Sequence, residues 1–325
     1  MPDLVYFIGA ITLGFAGLIW SADRFVDGSA AIARRAGLSP LIIGLTIVSF
    51  GTSAPEILVS LNAALEGAGE LAIGNALGSN LANVGLVLGI TALIATLPIQ
   101  KHILRDELPI LLTVTAVAGY FIYDSKLEFW EGIVLLALIV PVIGYLIHSK
   151  KRSLSPEEIA AEQDLPNLPV KMAVIWFVIG LILLVISSKI LVWGATNTAG
   201  FFGVSTLIIG LTVVAVGTSL PELAASVVSA LKGHHDIALG NVIGSNIFNL
   251  LAVMSVPALI DTLDMERAVF VRDYLSMAGI TLFLALSIAM TFWVRRAKPP
   301  GIGKTVGILL LICYMAYYYF LFATS

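Results

Sequence analysis

Gly51-Thr-Ser-Ala-Pro-Glu56 occurs twice in this 325-residue chain, with one residue changed, and this repeat is the main indication of its fold. It returns 166 residues later as Gly217-Thr-Ser-Leu-Pro-Glu222. The flanking sequence repeats at the same spacing, without a gap, from about Gly14 and Gly180 to Ile94 and Ile260. Two flanking stretches are near copies: Leu41-Ile-Ile-Gly-Leu-Thr46 with Leu207-Ile-Ile-Gly-Leu-Thr212, and Gly74-Asn-Ala-Leu-Gly-Ser-Asn80 with Gly240-Asn-Val-Ile-Gly-Ser-Asn246. Each copy therefore carries a glutamate inside an otherwise apolar stretch.

The composition indicates a membrane protein. Hydrophobic residues make up 58% of the chain and charged residues only 12%, whereas soluble domains carry about 25% charged residues. A membrane-spanning helix needs about 20 apolar residues, and the first apolar stretch is too long for a cleaved signal peptide. We predict an all-α polytopic membrane protein with ten transmembrane helices, near 4–33, 39–65, 70–97, 107–123, 129–148, 171–199, 205–231, 236–260, 273–294 and 302–322.

The distribution of lysine and arginine predicts the orientation. With the N-terminus outside, three basic residues lie in outer loops, Lys126, Arg267 and Arg272. All the others near span ends then lie inside: Arg34, Arg35, Lys101, Arg105, Lys150, Lys151, Arg152, Lys171, Lys232, Arg295, Arg296, Lys298 and Lys304. The positive-inside rule therefore favours a multi-pass protein of the inner or plasma membrane with both termini outside the cytoplasm.

Two repeats of five spans each predict an inverted architecture. Because five is odd, the second repeat enters the membrane from the opposite side to the first. We assign residues 1–148 to the first repeat, with its motif at 41–94, and 171–325 to the second, with its motif at 207–260. Residues 149–170 form a polar cytoplasmic linker. Inverted repeats are typical of secondary transporters, whose substrate sites lie at the midplane between the halves.

The repeated motif places oxygen atoms where hydrocarbon is expected. Pro55 and Pro221 lack an N–H and each releases the carbonyl four residues earlier, at Gly51 and Gly217. Free carbonyls at that depth are tolerated only where they line a cavity or find another partner. A carboxylate at the bilayer centre costs at least about 2.5–3.5 kcal/mol. Two of them at equivalent positions therefore predict a functional site that includes Glu56, Glu222 and the hydroxyls of Thr52, Ser53, Thr218 and Ser219.

The third and eighth spans supply further polar groups at helical spacing. These are Asn75, Ser79, Asn80 and Asn83 in the first repeat and Asn241, Ser245, Asn246 and Asn249 in the second. Residues spaced by three or four share one face of a helix. For Asn75, Asn80, Asn241 and Asn246, helix packing and ion ligation both remain open. The charged Asp23, Arg24 and Asp27 of the first span are not repeated as acids, and we interpret them as residues near a membrane surface.

The donor set favours hard cations. Carboxylate, carbonyl, hydroxyl and amide oxygens suit such ions, and no histidine or cysteine accompanies them to favour zinc or copper. Calcium takes six to eight oxygens in flexible geometry, and two carboxylates neutralise one Ca²⁺; the same oxygens could hold several Na⁺ ions. No cofactor is expected beside the transported ions. The expected partners are Ca²⁺, Na⁺ or H⁺ and the lipid bilayer, with no nucleic acid and no obligatory protein partner.

The paired motifs resemble the α1 and α2 repeats of the calcium/cation antiporter superfamily, and most closely its prokaryotic sodium/calcium exchangers. The resemblance covers essentially the whole chain. It implies that Glu56 and Glu222 are central Ca²⁺ ligands, joined by Thr52 and Thr218, and that the first and sixth spans slide past the other eight. Gly28 and Gly194 in these two spans fit close helix contact there. It further implies Na⁺ sites and mid-site polar groups formed by Ser53, Ser79, Ser219, Ser245, the carbonyls of Ser49 and Ala215, and Asn83 and Asn249. Some relatives have an aspartate at one of the last two positions, where this chain has asparagine at both.

The leading hypothesis is therefore a secondary active antiporter that exchanges Na⁺ for Ca²⁺ by alternating access. A Ca²⁺/H⁺ antiporter using the same glutamates is the alternative, because a buried carboxyl group can also carry a proton. An intramembrane hydrolase is disfavoured, since an acid and a base need unlike surroundings and the two glutamates have equivalent ones. A cation channel is a further alternative.

Overall fold

The computed structural model describes residues 2–151, 165–204, 213, 215–294 and 301–324. Most of the predicted linker, 149–170, falls outside these residues, as does the start of the second motif, 207–212. Arg295, Arg296 and Lys298, which were assigned to the cytoplasmic side, also lie outside the described residues.

The described part of the chain is helical apart from four two-residue strands. The helices are α1 (Pro2–Ala36), α2 (Pro40–Thr52), α3 (Ala54–Leu65), α4 (Gly69–Ile94), α5 (Leu108–Phe121), α6 (Phe129–Lys151), α7 (Val170–Phe201), α8 (Ala215–Thr218), α9 (Leu220–Leu231), α10 (His235–Ala258), α11 (Val269–Trp293) and α12 (Lys304–Thr324). The strands are β1 (Leu97–Pro98), β2 (Lys126–Leu127), β3 (Leu263–Asp264) and β4 (Gly301–Ile302).

Seven of the described helices are long and apolar enough to cross a membrane, or eight if the bent pair α2 and α3 counts as one span. The sequence predicted ten. One of the two remaining predictions, 107–123, corresponds to α5, which has 14 residues and directly continues a π-helical turn, Ile103–Glu107, that contains charged residues. The other, 205–231, begins outside the described residues and continues as α8 and α9. The fold is thus an all-helical polytopic membrane fold.

The two ends of α4 define two faces of the molecule. At its start, the Glu70 carboxylate accepts a hydrogen bond from the backbone N–H of Glu266. Beyond its end, the Gln100 side chain donates to the Asp236 carboxylate, 3.1 Å away. A 26-residue helix is roughly 39 Å long at about 1.5 Å per residue, so these contacts lie on opposite faces. We name them the Gln100 face and the Glu266 face.

The small strands follow the same division. β1 pairs with β4 on the Gln100 face, and β2 pairs with β3 on the Glu266 face. β1 and β3 occupy equivalent positions in the two repeats, 166 residues apart. Equivalent elements therefore lie on opposite faces.

Helices α1 and α7 pack against each other along their length without intervening side chains at four points. A Cβ added at any of four glycines would lie 2.4–2.7 Å from a backbone atom of the opposite helix: Gly14, Gly28, Gly180 and Gly194. Gly14 is equivalent to Gly180 in the repeat, and Gly28 is equivalent to Gly194. The contact between the two helices therefore has approximate two-fold symmetry. The close contact expected at Gly28 and Gly194 is confirmed.

The substitution Gly28→Ala tests this contact. The added methyl would lie 2.4 Å from the backbone nitrogen of Phe177, and overpacking of this kind costs about 1–3 kcal/mol. We expect a lower midpoint of thermal unfolding in detergent. Gly9→Ala is the control in the same helix, because nothing lies within 4 Å of the added Cβ. Equal midpoints for the two variants would contradict the packing described.

Candidate ion-binding site

The predicted helix breaks are present in both repeats. α2 and α3 meet at Ser53 with a bend of 42°, and Ser53 has φ −83° and ψ 3°. Ser219, between α8 and α9, has nearly the same backbone angles, φ −88° and ψ 5°. Proline lies in the first turn after each break, where its missing N–H does no harm. As a result, Glu56 and Glu222 each lie in the first turn of a new helix.

Two backbone carbonyls near the breaks have partners within the protein. The carbonyl of Gly217, predicted to be released by Pro221, accepts a hydrogen bond from the Ser188 hydroxyl of α7 at 2.9 Å. The Ser49 carbonyl accepts from the Ser53 N–H at 2.9 Å and lies 3.3 Å from the Thr52 hydroxyl. Sequence reasoning missed Ser188, whose equivalent in α1 is Ala22.

The two carboxylates are buried and close to each other. Glu56 is 1% exposed and Glu222 is 0% exposed, and they interact electrostatically. The Ser53 hydroxyl donates to Glu222 Oε1 at 3.1 Å, which joins the two repeats. Both oxygens of Glu56 and Oε2 of Glu222 have no hydrogen-bond partner within the described residues. Buried charges of one sign need a counter-charge, so this geometry favours a bound cation.

Asn75 and Asn241 hold the two glutamate segments in equivalent ways. The Asn75 amide donates to the Glu56 carbonyl at 3.0 Å and to the Ser60 hydroxyl at 2.9 Å. The Asn241 amide donates to the Glu222 carbonyl at 3.3 Å and to Ser226 at 2.9 Å. The amide nitrogens of these two asparagines therefore join neighbouring helices, as the packing alternative predicted.

The Thr52 hydroxyl connects the halves from the other direction. It lies 3.1 Å from Asn241 Oδ1. Gly244 lies on α10, the helix of Asn241. A Cβ added at Gly244 would lie 2.5 Å from the Ser49 hydroxyl, so α10 packs directly against α2. Helix α10 is surrounded by protein, since its whole spanning window is buried. The polar groups of α2, α3, α9 and α10 therefore form one buried cluster.

Several other buried polar groups lack hydrogen-bond partners within the described ranges. Asn83 and Asn249, which are 1% and 0% exposed, each begin a π-helical turn, Asn83–Val87 and Asn249–Val253. Such turns occur frequently at functional sites. The atoms without partners are both side-chain polar atoms of Asn83, Asn246 and Asn249, Asn80 Oδ1, Ser219 Oγ and Ser245 Oγ. Buried polar atoms normally have partners, so this set has room for ligands.

The remaining predicted site residues fall in the same helices. Ser79 is 4% exposed in α4, Thr218 ends α8, and Ala215 begins it. The Asn80 amide donates to the Asn246 carbonyl at 3.2 Å, between two equivalent positions of the repeats. Within the described residues, no group of three or more His, Cys, Asp or Glu side chains could hold a metal ion. A cation here would therefore rely on two carboxylates supplemented by neutral oxygens.

Comparison with known proteins identifies the family of this chain. The profile of the sodium/calcium exchanger protein family matches residues 6–147 and 172–323. The chain belongs to the sodium/calcium exchanger family. It is therefore a transporter and not an enzyme, and the ions of such an exchanger are its cargo and not resident cofactors.

Two prokaryotic relatives match this exchanger over nearly their full length. It is 43% identical to the putative antiporter CaxA of Alkalimonas amylolytica, over 97% of the chain and 98% of CaxA. It is 40% identical to the inner membrane protein YrbG of Escherichia coli K12, over 96% of each. Among solved structures, the sodium-calcium exchanger NCX_Mj in 10 mM Na⁺ and zero Ca²⁺ superposes with a TM-score of 0.81 at 32% identity, covering 97% of this chain and 99% of NCX_Mj.

The substitution Asn241→Ala tests the scaffold of the site. It removes donors to the Glu222 carbonyl and to Ser226 in a buried position, where an unsatisfied partner costs about 1–3 kcal/mol. We expect a lower midpoint of thermal unfolding. The control is Asn197→Ala, because Asn197 is only partly buried and its side chain donates to the Trp193 carbonyl within its own helix. Midpoints lowered equally by both changes would contradict the scaffold role.

Proposed function

We propose that this exchanger is a secondary active antiporter that exchanges Na⁺ for Ca²⁺ by alternating access, with Glu56 and Glu222 as the central ligands. The supporting observation is the group of three buried carboxylate oxygens without a hydrogen-bond partner within the described residues. Protein interiors do not retain such charge without compensation. A divalent cation between the two carboxylates would neutralise both.

The neutral oxygens nearby suit competition between ions. The hydroxyls of Thr52 and Thr218 would complete the central Ca²⁺ site. Flanking Na⁺ sites would use Ser53, Ser79, Ser219 and Ser245, the carbonyls of Ser49 and Ala215, and the amides of Asn83 and Asn249. Hard cations, whether monovalent or divalent, bind such oxygens. Because both ions need the same two carboxylates, binding of one would displace the other, and this competition would couple their movements.

We further propose ten spans in two inverted repeats, with the Gln100 face in the cytoplasm. The opposite positions of β1 and β3 support the inversion. Arg34 bonds the carbonyl of Leu165, and Leu165 lines a cavity with Gln100 and Lys232, so the Gln100 face carries the predicted inner basic residues. α1 ends at this face and α12 begins beside β4 there. Both helices therefore point their chain termini towards the Glu266 face.

Exchange of Ca²⁺ for H⁺ is the second candidate. Two neighbouring carboxyl groups can relieve their repulsion by binding one proton, and both oxygens of Glu56 lack a hydrogen-bond partner within the described residues. The proposed linker at 149–170 is a tether between the repeats in either case. The coupling ion therefore has to be measured.

The coupling ion is tested by uptake of radioactive Ca²⁺ into vesicles that contain the purified protein. An outward Na⁺ gradient should drive uptake, because Na⁺ leaving the vesicle releases the carboxylates to Ca²⁺. A pH gradient without Na⁺ should drive none, and vesicles without protein provide the background. Equal uptake with the pH gradient alone would show that the exchanger couples Ca²⁺ to H⁺.

The central ligands are tested by Glu56→Gln and Glu222→Gln in the same assay. Each change keeps the size of the side chain but removes one of the two charges that balance Ca²⁺, so uptake should fall to the level of protein-free vesicles. Glu266→Gln is the control, since Glu266 is exposed on the opposite side of the fold from Lys232. Retained exchange in both glutamate variants would place the site elsewhere.

A further inference from the structure

The two faces of the molecule are closed to different extents. Helix α1 packs along α9 towards the Gln100 face, whereas the equivalent pair, α7 and α3, is almost out of contact. The α1–α7 pair is otherwise symmetric, with equivalent glycines at equivalent contacts. The protein thus combines a symmetric scaffold with an asymmetric arrangement of its first and seventh helices against the site helices.

An ion pair holds the close contact at the Gln100 face. Lys232, directly after α9, places its ammonium 2.7 Å from Asp23 Oδ1 and 2.7 Å from Asp27 Oδ1. The same nitrogen donates to the Asp23 carbonyl at 3.2 Å. An ammonium has three N–H donors, so α1 supplies an acceptor for each. The three side chains are only 23–37% exposed, which limits screening by solvent.

The repeat carries a second pair of charges at the equivalent positions, with the signs reversed. Asp23 corresponds to Lys189 on α7, and Lys232 corresponds to Glu66, directly after α3. Lys189 and Glu66 are both exposed, and neither forms an ion pair in the part of the chain that the structure describes. Glu66 lies close in sequence to Glu70, which bonds Glu266, so this second pair belongs to the Glu266 face.

We propose that these two charge pairs are alternating latches: Lys232 with Asp23 and Asp27 closes the Gln100 face, and Lys189 with Glu66 closes the Glu266 face in the opposite access state. In alternating access between inverted repeats, one part of the protein moves against the other around a fixed site. A movement that separated α1 from α9 and brought α7 onto α3 would exchange the roles of the two faces. It would break the first ion pair and bring Lys189 to Glu66.

The reversal of sign strengthens the inference. The residue types at these positions differ between the two repeats, but each repeat pairs one acidic position with one basic position. Each latch would stabilise only the state in which it is formed, so removal of one latch shifts the population towards the other state. The inference rests on the alternating access of the proposed function but not on the identity of the transported ions.

Cross-linking of Glu66→Cys with Lys189→Cys tests the latches in the full-length protein. Cys313 is the chain's only cysteine, so Cys313→Ala supplies a background without thiols. A flexible bis-maleimide is added to purified protein in one Na⁺-containing buffer, and the cross-linked fraction is measured. The additional change Lys232→Gln should raise this fraction roughly two- to fivefold, because a partly exposed ion pair has a modest effect on a two-state equilibrium. Lys101→Gln is the control, as Lys101 is exposed next to Gln100 on the same face.

A raised fraction with Lys232→Gln but not with Lys101→Gln supports the latches. The same fraction in both variants overturns them. The measurement separates this inference from the proposed function, because the cross-link reports helix positions and not ion flux. A shifted fraction in a protein without Na⁺-driven Ca²⁺ uptake would keep the latches and overturn the proposed function, and normal uptake with an unshifted fraction would do the reverse.

Discussion

The buried carboxylates of Glu56 and Glu222 constrain the whole structure. Three of their four oxygens lack a hydrogen-bond partner within the described residues. An uncompensated charge inside a membrane protein is expensive, and two like charges side by side are more so. Their retention requires compensation of charge, which the proposed cation would supply, and a scaffold that holds the side chains in place. The helix breaks at Ser53 and Ser219 provide the position, and Asn75 and Asn241 fix the backbone on either side.

This scaffold is built twice, and its departures from symmetry carry information. Asn75 and Asn241 make equivalent bonds to the glutamate segments. Ser53, however, donates to Glu222, while the equivalent Ser219 hydroxyl has no partner in the described part of the chain. The contacts of α1 and α7 with the site helices are also unequal, because α1 packs along α9 whereas α7 is almost out of contact with α3. A duplicated scaffold in an asymmetric state is what alternating access requires, since the opposite state then needs no new architecture.

The sequence predicted those features that local chemistry determines. Proline and glycine predicted the helix breaks, small residues predicted the contact at Gly28 and Gly194, and hydrophobic length predicted most spans. The stretch predicted at 107–123 is helical over Leu108–Phe121, and the charged residues before it belong to a π-helical turn, Ile103–Glu107, that the sequence did not predict. The sequence also indicated the buried glutamates, since both lie at equivalent positions of a repeated apolar stretch.

Features that depend on tertiary contacts could not be predicted in this way. Asn75 and Asn80 have the same side chain and lie on the same helix. Only the folded structure shows that Asn75 donates to the Glu56 carbonyl and Asn80 to the Asn246 carbonyl. Asp23 and Asp27 suggested charges near a membrane surface, but their partner Lys232 is about 200 residues away in sequence. The hydrogen bond from the Ser188 hydroxyl to the Gly217 carbonyl could not be predicted either. In each case the partner is distant in sequence and only packing brings it near.

The most direct measurement is a crystal structure of the protein soaked with Sr²⁺, a heavier divalent ion that can replace Ca²⁺ among oxygen ligands. An anomalous difference map locates the ion without reference to any assumed site. A central ion site at Glu56 and Glu222 predicts a peak between their carboxylates that disappears when high Na⁺ replaces Sr²⁺. A peak elsewhere in the protein, or none at these carboxylates at saturating Sr²⁺, would contradict it.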